Sequence, residues 1–129
     1  MPNEAIRRFV QGTLGCRCAD RVFERVESGF EDWHGGRCLR MLIGGRLLIR
    51  IVAAPEKDEL GSRLARWMDA GRAERDALGL NRFRLVLKAR SPAEVRAAVE
   101  GILAGTTPDE HSHVHVVAPD DLVSVYPKR

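Results

Sequence analysis

Ile6, Phe9 and Val10 recur at helical spacing within residues 4–11, and Val22, Phe23 and Val26 do the same within residues 19–28. Gly29 then suits the left-handed position that follows a helix, so two N-terminal helices are predicted. From Cys38 to Ile43 and from Arg46 to Ala53 the chain turns mostly apolar, with Gly44-Gly45 between, the signal for a hairpin with a two-residue turn. Such a turn pairs Ile43 with Arg46, Met41 with Leu48 and Leu39 with Arg50. It gathers Cys38, Arg40, Leu42, Leu47, Ile49 and Ile51 on the other face. Neither face is fully polar, which predicts a sheet covered on both sides.

Pro55 and the acidic Glu56, Asp58 and Glu59 open a long helix with the stripe Leu60, Leu64, Trp67, Met68 and Leu78, closed by Gly79. Arg82 to Lys88 alternates, with Phe83, Leu85 and Leu87 on one face and Arg82, Arg84, Val86 and Lys88 on the other. Ser91-Pro92-Ala93-Glu94 is a capping box with proline at the first helical position, and Val95, Val99, Ile102 and Leu103 continue that helix. His111 to Ala118 is the last strand, and Tyr126 to Arg129 reads as a tail. The predicted fold is α/β: a four-stranded mixed sheet, built as a β-hairpin followed by two β-α-β crossovers, flanked by helices.

At 129 residues, with 44% hydrophobic and 30% charged residues and no low-complexity run, the chain fits one domain spanning 1–129. The N-terminus lacks the apolar core of a signal peptide, and no apolar run reaches the ~18 residues of a membrane span, so a cytoplasmic, membrane-free protein is expected. A homodimer is compatible with that reading. A net charge of +3 falls short of a dedicated binder of phosphate backbones, which disfavours nucleic acid as a partner.

Three cysteines in a reducing compartment argue against a disulfide framework and leave metal ligation, redox chemistry or plain buried thiols. Cys16 and Cys18 are one residue apart just before the predicted second helix, where backbone N–H groups, the helix dipole, Arg17 and Arg21 would favour thiolate. Two thiolates at this spacing can bind zinc or an iron–sulfur cluster, or cycle between thiol and disulfide. His34 and Cys38 offer two further ligands. Against this, Cys38 lies on an apolar strand face and reads equally as a structural thiol. A phosphatase loop is disfavoured, because its arginine would stand six residues after the nucleophile, where Val22 and Glu24 stand instead.

His111, His113 and His115 alternate along the last strand and share a face. Neighbours there are about 7 Å apart, so two can meet one ion but three cannot. They offer a metal-dependent enzyme or, more simply, a half-buried strand face whose charge changes near neutrality. Arg40, Arg46, Arg50, Arg82 and Arg84 also sit on strands, where they could line an anion-binding patch or pair with Asp58, Glu59, Asp69 or Glu74.

The segment Val10-Gln11-Gly12-Thr13-Leu14-Gly15-Cys16-Arg17-Cys18, together with Asn81-Arg82-Phe83-Arg84-Leu85-Val86, resembles a group of small prokaryotic proteins with a Gly-Cys-x-Cys loop entering a helix. In that group a proline follows the second cysteine; here it is Ala19. The resemblance implies no activity. The leading expectation is a small thiol protein whose Cys16/Cys18 pair binds a soft metal (zinc or iron–sulfur) or exchanges disulfides. An anion- or nucleic-acid-binding module using Arg40, Arg82 and Arg84 stands second, and a metal enzyme built on His111, His113 and His115 third.

Overall fold

The computed structural model describes residues 4–106 and 109–126. The chain opens with a short helix α1 (Glu4–Arg8), a π-helical turn Phe9–Thr13 and a 3-10 turn Asp20–Glu24. Strands β1 (Val26–Trp33), β2 (Gly36–Ile43) and β3 (Leu47–Ala53) follow as an antiparallel meander. Helix α2 (Lys57–Ala77) then leads to β4 (Arg82–Lys88), and helix α3 (Pro92–Leu103) leads to β5 (Ser112–Val117). A last 3-10 turn covers Pro119–Leu122. The α/β class and the mixed sheet are as the sequence predicts, but the sheet has five strands, ordered β1-β2-β3-β4-β5, with β3, β4 and β5 parallel.

Two corrections have clear causes. The second predicted helix is replaced by the 3-10 turn and the edge strand β1, whose residues 27–32 are all exposed. An edge strand buries too little to write an alternating pattern, so Val22, Phe23 and Val26 alone looked helical. Between β1 and β2, His34 and Gly35 take φ of +51° and +80°, the two left-handed positions of a tight hairpin turn. The second correction is register: three residues, not two, join β2 to β3, so Ile43 pairs with Leu47, Met41 with Ile49 and Leu39 with Ile51. Gly44 N–H bonds the Arg25 carbonyl at 2.7 Å, which docks this turn on the N-terminal segment and leaves Arg46 outside the ladder. A slip of one exchanges the two faces. Leu39, Met41, Ile43, Leu47, Ile49 and Ile51 face one way, and Cys38, Arg40, Leu42, Leu48, Arg50 and Val52 the other.

Both crossovers step the same way across the sheet, so crossovers of one hand put both helices on one face. That face carries Cys38, Leu48, Val52, Phe83, Leu85 and Leu87 packed under Leu60, Leu64, Trp67, Met68 and Val99. The contact is close: a Cβ at Gly71 of α2 would collide with the Phe83 ring. The opposite face packs against the two chain ends, with Ile6, Phe9, Val10, Leu14, Cys16, Phe23, Leu122 and Val125 covering the β2–β3 side of the sheet. Short irregular segments cover a sheet less completely than helices do, and the opening they leave is where the polar side chains of β4 and β5 emerge. Among the described residues no helix is long and apolar enough to cross a membrane.

Candidate functional site

The cysteine loop is pinned on both sides. The Cys16 N–H donates to the Val10 carbonyl at 3.0 Å, while Gln11 Nε2 donates to the Cys18 carbonyl at 2.8 Å and to the Asp20 carboxylate at 2.9 Å. The two sulfurs are joined as a disulfide. Only a five-residue 3-10 turn follows them, so the helix dipole expected to acidify Cys18 is not there. A bridge closing three residues contributes about 1.6 kcal/mol by chain entropy, roughly half the value for a 15-residue loop. Stability alone is a weak reason to have it.

This loop forms one wall of a cleft of about 600 Å³ at the N-terminal ends of the parallel strands. The other walls are Arg46 and Leu47 at the start of β3, Asn81, Arg82 and Arg84 at the start of β4, and His113 on β5. Register explains the convergence: Ile49 pairs with Arg84 and Arg84 with His113, so these side chains project from one face toward the cysteine loop. Five arginines line the cleft (Arg17, Arg21, Arg46, Arg82 and Arg84), and no carboxylate does. Among the described residues none of the five forms an ion pair with a carboxylate.

Arg84 is the centre of the arrangement. It is 6% exposed, and one of its Nη atoms donates to the Leu14 carbonyl at 3.1 Å and to His115 Nε2 at 2.7 Å. Its buried Nε has no hydrogen-bond partner among the described residues. Burial first, and then the neighbouring Arg82 charge, lower the proton affinity of this guanidinium. A guanidinium can only donate, so His115 Nε2 accepts and its hydrogen sits on Nδ1. Burial, followed by the charge of Arg84 and then His113, pushes the His115 pKa down to about 4. His113, its ring 6.5 Å from that of His115, is lowered too, by burial and then by Arg84. For His115 this corrects the expectation of a ring whose charge changes near neutrality. His111 precedes β5 and is exposed; its backbone binds Asp109 and Phe83 rather than extending the row.

The remaining sequence candidates lie elsewhere. Arg40 is on the helix-covered face, bonded through Nε to Glu74 at 2.8 Å, so it does not join Arg82 and Arg84. Arg50, 4% exposed, has two donors on Glu74 at 2.9 and 2.8 Å, one on Glu31 at 3.0 Å, and the Trp33 ring 4.4 Å away. His34 occupies the β1–β2 turn against Trp33, and Cys38 is fully buried beside Arg50 on the helix side, so neither stands near Cys16 and Cys18. Among the described residues no three His, Cys, Asp or Glu side chains are grouped to hold a metal ion. Asn81 was not foreseen at the site. The signal that could have found the cleft is an arginine in mid-strand, Arg84, set between the apolar Phe83 and Leu85 and facing the same way as His115. No family model, curated protein or solved structure matches the chain.

Proposed function

We propose that this chain binds a small polyanionic ligand, of the class of phosphorylated or polycarboxylated metabolites, in the arginine cleft. The observation that carries the reading is Arg84: a buried cation that, among the described residues, has no carboxylate paired with it and no acceptor for its buried Nε. Taking a charge out of water costs several kcal/mol unless an opposite charge and hydrogen bonds offset it. An oxyanion entering the cleft supplies both, and the planar guanidinium fork suits phosphate and carboxylate oxygens. Concavity and volume fit a small molecule. Among the described residues no Phe, Tyr or Trp lines the cleft, so it lacks the large stacking surfaces of single-stranded nucleic-acid binders.

Calorimetric titration with inorganic phosphate and pyrophosphate tests the reading, with Arg84→Met as the comparison. Saturable binding to the parent that weakens with added salt and is lost in Arg84→Met is expected. No heat from either anion at millimolar concentration, or equal binding by Arg84→Met, removes the reading; tighter binding of a single-stranded oligonucleotide than of pyrophosphate replaces it with a nucleic-acid one.

A second reading, thiol–disulfide exchange at Cys16 and Cys18, is favoured by one specific observation: both cysteines line the same cleft. Reduced, the same pair could offer two thiolates to zinc or an iron–sulfur cluster, and metal analysis of the protein purified under reducing conditions tests that.

A further inference from the structure

The disulfide and the unpaired arginines occupy one cavity, and that juxtaposition has a chemical consequence. We infer that the cleft is a thiol–disulfide exchange site selective for low-molecular-weight thiols that carry an anionic group, held by the arginines while their sulfur attacks Cys18. The inference rests on the anion-binding reading above and names its substrate class.

Cys18 is the more open of the two bridged residues, Cys16 being 7% exposed, so Cys18 Sγ is the electrophile that an incoming thiolate reaches. The attack forms a bond between the substrate sulfur and Cys18 Sγ and breaks the Cys16–Cys18 bond, whose electron pair leaves on Cys16 as thiolate. A second substrate thiolate then attacks the substrate sulfur of the mixed disulfide and releases Cys18. Two thiols are oxidised to one disulfide, the protein disulfide is reduced to two thiols, and the two thiol protons end on Cys16 and Cys18. Run backwards, the same path reduces an anionic disulfide.

The surroundings favour this for physical reasons. Cationic neighbours stabilise both the attacking and the leaving thiolate. Arg17 stands between the two cysteines, Arg21 just beyond them, and Arg82 and Arg84 across the cleft. Gln11 holds the Cys18 carbonyl, so the electrophilic sulfur is presented on a fixed backbone. A cleft of one sign of charge concentrates ligands of the other sign and raises encounter rates.

The test compares two probes that share one two-carbon thiol arm, 2-mercaptoethanesulfonate and the neutral 2-mercaptoethanol, as reductants of the intact protein at matched thiolate concentration and constant ionic strength. The sulfonate thiol is expected to reduce the Cys16–Cys18 bridge at least ~10-fold faster. Arg84→Met is expected to cut that advantage to roughly two-fold or less, and the exposed-residue variant Arg17→Gln/Arg21→Gln serves if Arg84→Met does not fold. Inorganic phosphate is expected to suppress the advantage saturably, over the concentration range in which it binds by calorimetry. Equal rates for the two thiols while phosphate still binds overturn the exchange site and leave the anion reading standing. Absence of phosphate binding overturns both. A sulfonate advantage that phosphate does not saturate, or that persists in the arginine variants, reveals diffuse charge only and overturns the site.

Discussion

Arg50 and Arg84 are buried to nearly the same degree in neighbouring strands of one sheet, and the chain treats them in opposite ways. On the helix-covered face Arg50 meets Glu74, Glu31, the Cys38 sulfur and the face of Trp33. Burial works against its charge, but the hydrogen bonds it donates to Cys38, Glu74 and Glu31 outweigh it and hold the guanidinium above its ordinary range. On the other face Arg84 meets a carbonyl, a neutral imidazole and a second arginine's field, and its proton affinity falls. The difference teaches where the balance of charge is completed. The helix face closes its balance within the chain; the cleft face leaves it open.

The largest effect should come from opening the closed side. Glu74→Gln removes the carboxylate shared by Arg40 and Arg50 and leaves Arg50 with Glu31, itself 45% exposed, as its remaining acid. Breaking a buried pair from one side costs about 3–5 kcal/mol, and Glu31 brings the expectation to the lower end, near 3 kcal/mol by urea denaturation. A loss below about 1 kcal/mol would mean that the helix face does not depend on internal pairing, and the contrast with Arg84 would dissolve.

Next in size is the pH response of the open side. His115 binds its proton only near pH 4 in the folded protein, against 6.5 for an ordinary histidine. Between those values the unfolded chain holds a proton that the folded ring refuses. Stability is therefore complete above about pH 6.5 and is lost as the pH falls toward 4, by on the order of 3 kcal/mol in all. Asp109, held low first by the His111 backbone N–H and also by Ser112 and Arg75, loses its contribution at still lower pH, outside this window. The difference between parent and His115→Gln stability curves at pH 7, 5.5 and 4 isolates the ring. In Arg84→Met the fall should still begin near pH 6.5, where the unfolded ring takes up its proton, but end at a higher pH and be smaller, because one of the two largest penalties on the charged imidazole is gone. Parallel curves for the parent and His115→Gln would show that the ring is not held neutral.

Smaller again is the cost of removing Arg84 itself. Arg84→Met gives up bonds to Leu14 and His115 but also removes an uncompensated buried charge, and the two effects oppose each other. Stability without added anion should change by no more than about 1 kcal/mol, against near 3 for Glu74→Gln. Phosphate at ten times its dissociation constant should stabilise the parent by about 1.4 kcal/mol and the variant not at all. If Arg84→Met is as damaging as Glu74→Gln, Arg84 is a structural strut rather than an open ligand site.

Much of the fold was legible because buried elements write apolar patterns: α2 buries the stripe Leu60, Leu64, Trp67 and Met68, and β3 and β4 are buried along nearly their whole length. Strand β1 was not legible, since its middle six residues are exposed and carry no stripe. The β2–β3 register was missed by one residue, because Gly44 is drawn out of the ladder by a bond to Arg25, a contact that two neighbouring glycines do not announce. That slip grouped Cys38 with Leu47, Ile49 and Ile51, which face the other way, and concealed that Arg40 and Arg50 share a face. Arg82, Arg84, His113 and His115 could be placed on strand faces from alternation alone, and Glu74 could be named as a candidate partner. Which arginines would find it depends on contacts 24 and 34 residues apart in the chain, which no local pattern encodes.

The smallest effect probes whether the sheet insulates its two faces. Cys38 has no exposed surface, lies on the helix side and accepts a long bond from Arg50 at 3.5 Å, while Cys16 and Cys18 sit across the sheet. Burial, outweighing the help of Arg50, raises its thiol pKa above the ordinary value, so it is a neutral thiol in the folded protein. Cys38→Ala removes one sulfur atom from a packed site and leaves Arg50 its carboxylates, so the cost should be about 1 kcal/mol. Reduction of the Cys16–Cys18 bridge by mercaptoethanesulfonate and phosphate binding should both match the parent, and folded protein with the bridge intact should resist iodoacetamide. Rapid alkylation of Cys38, or a several-fold change in the bridge's reduction rate in Cys38→Ala, would show that the two faces communicate and that the third cysteine belongs to the redox chemistry.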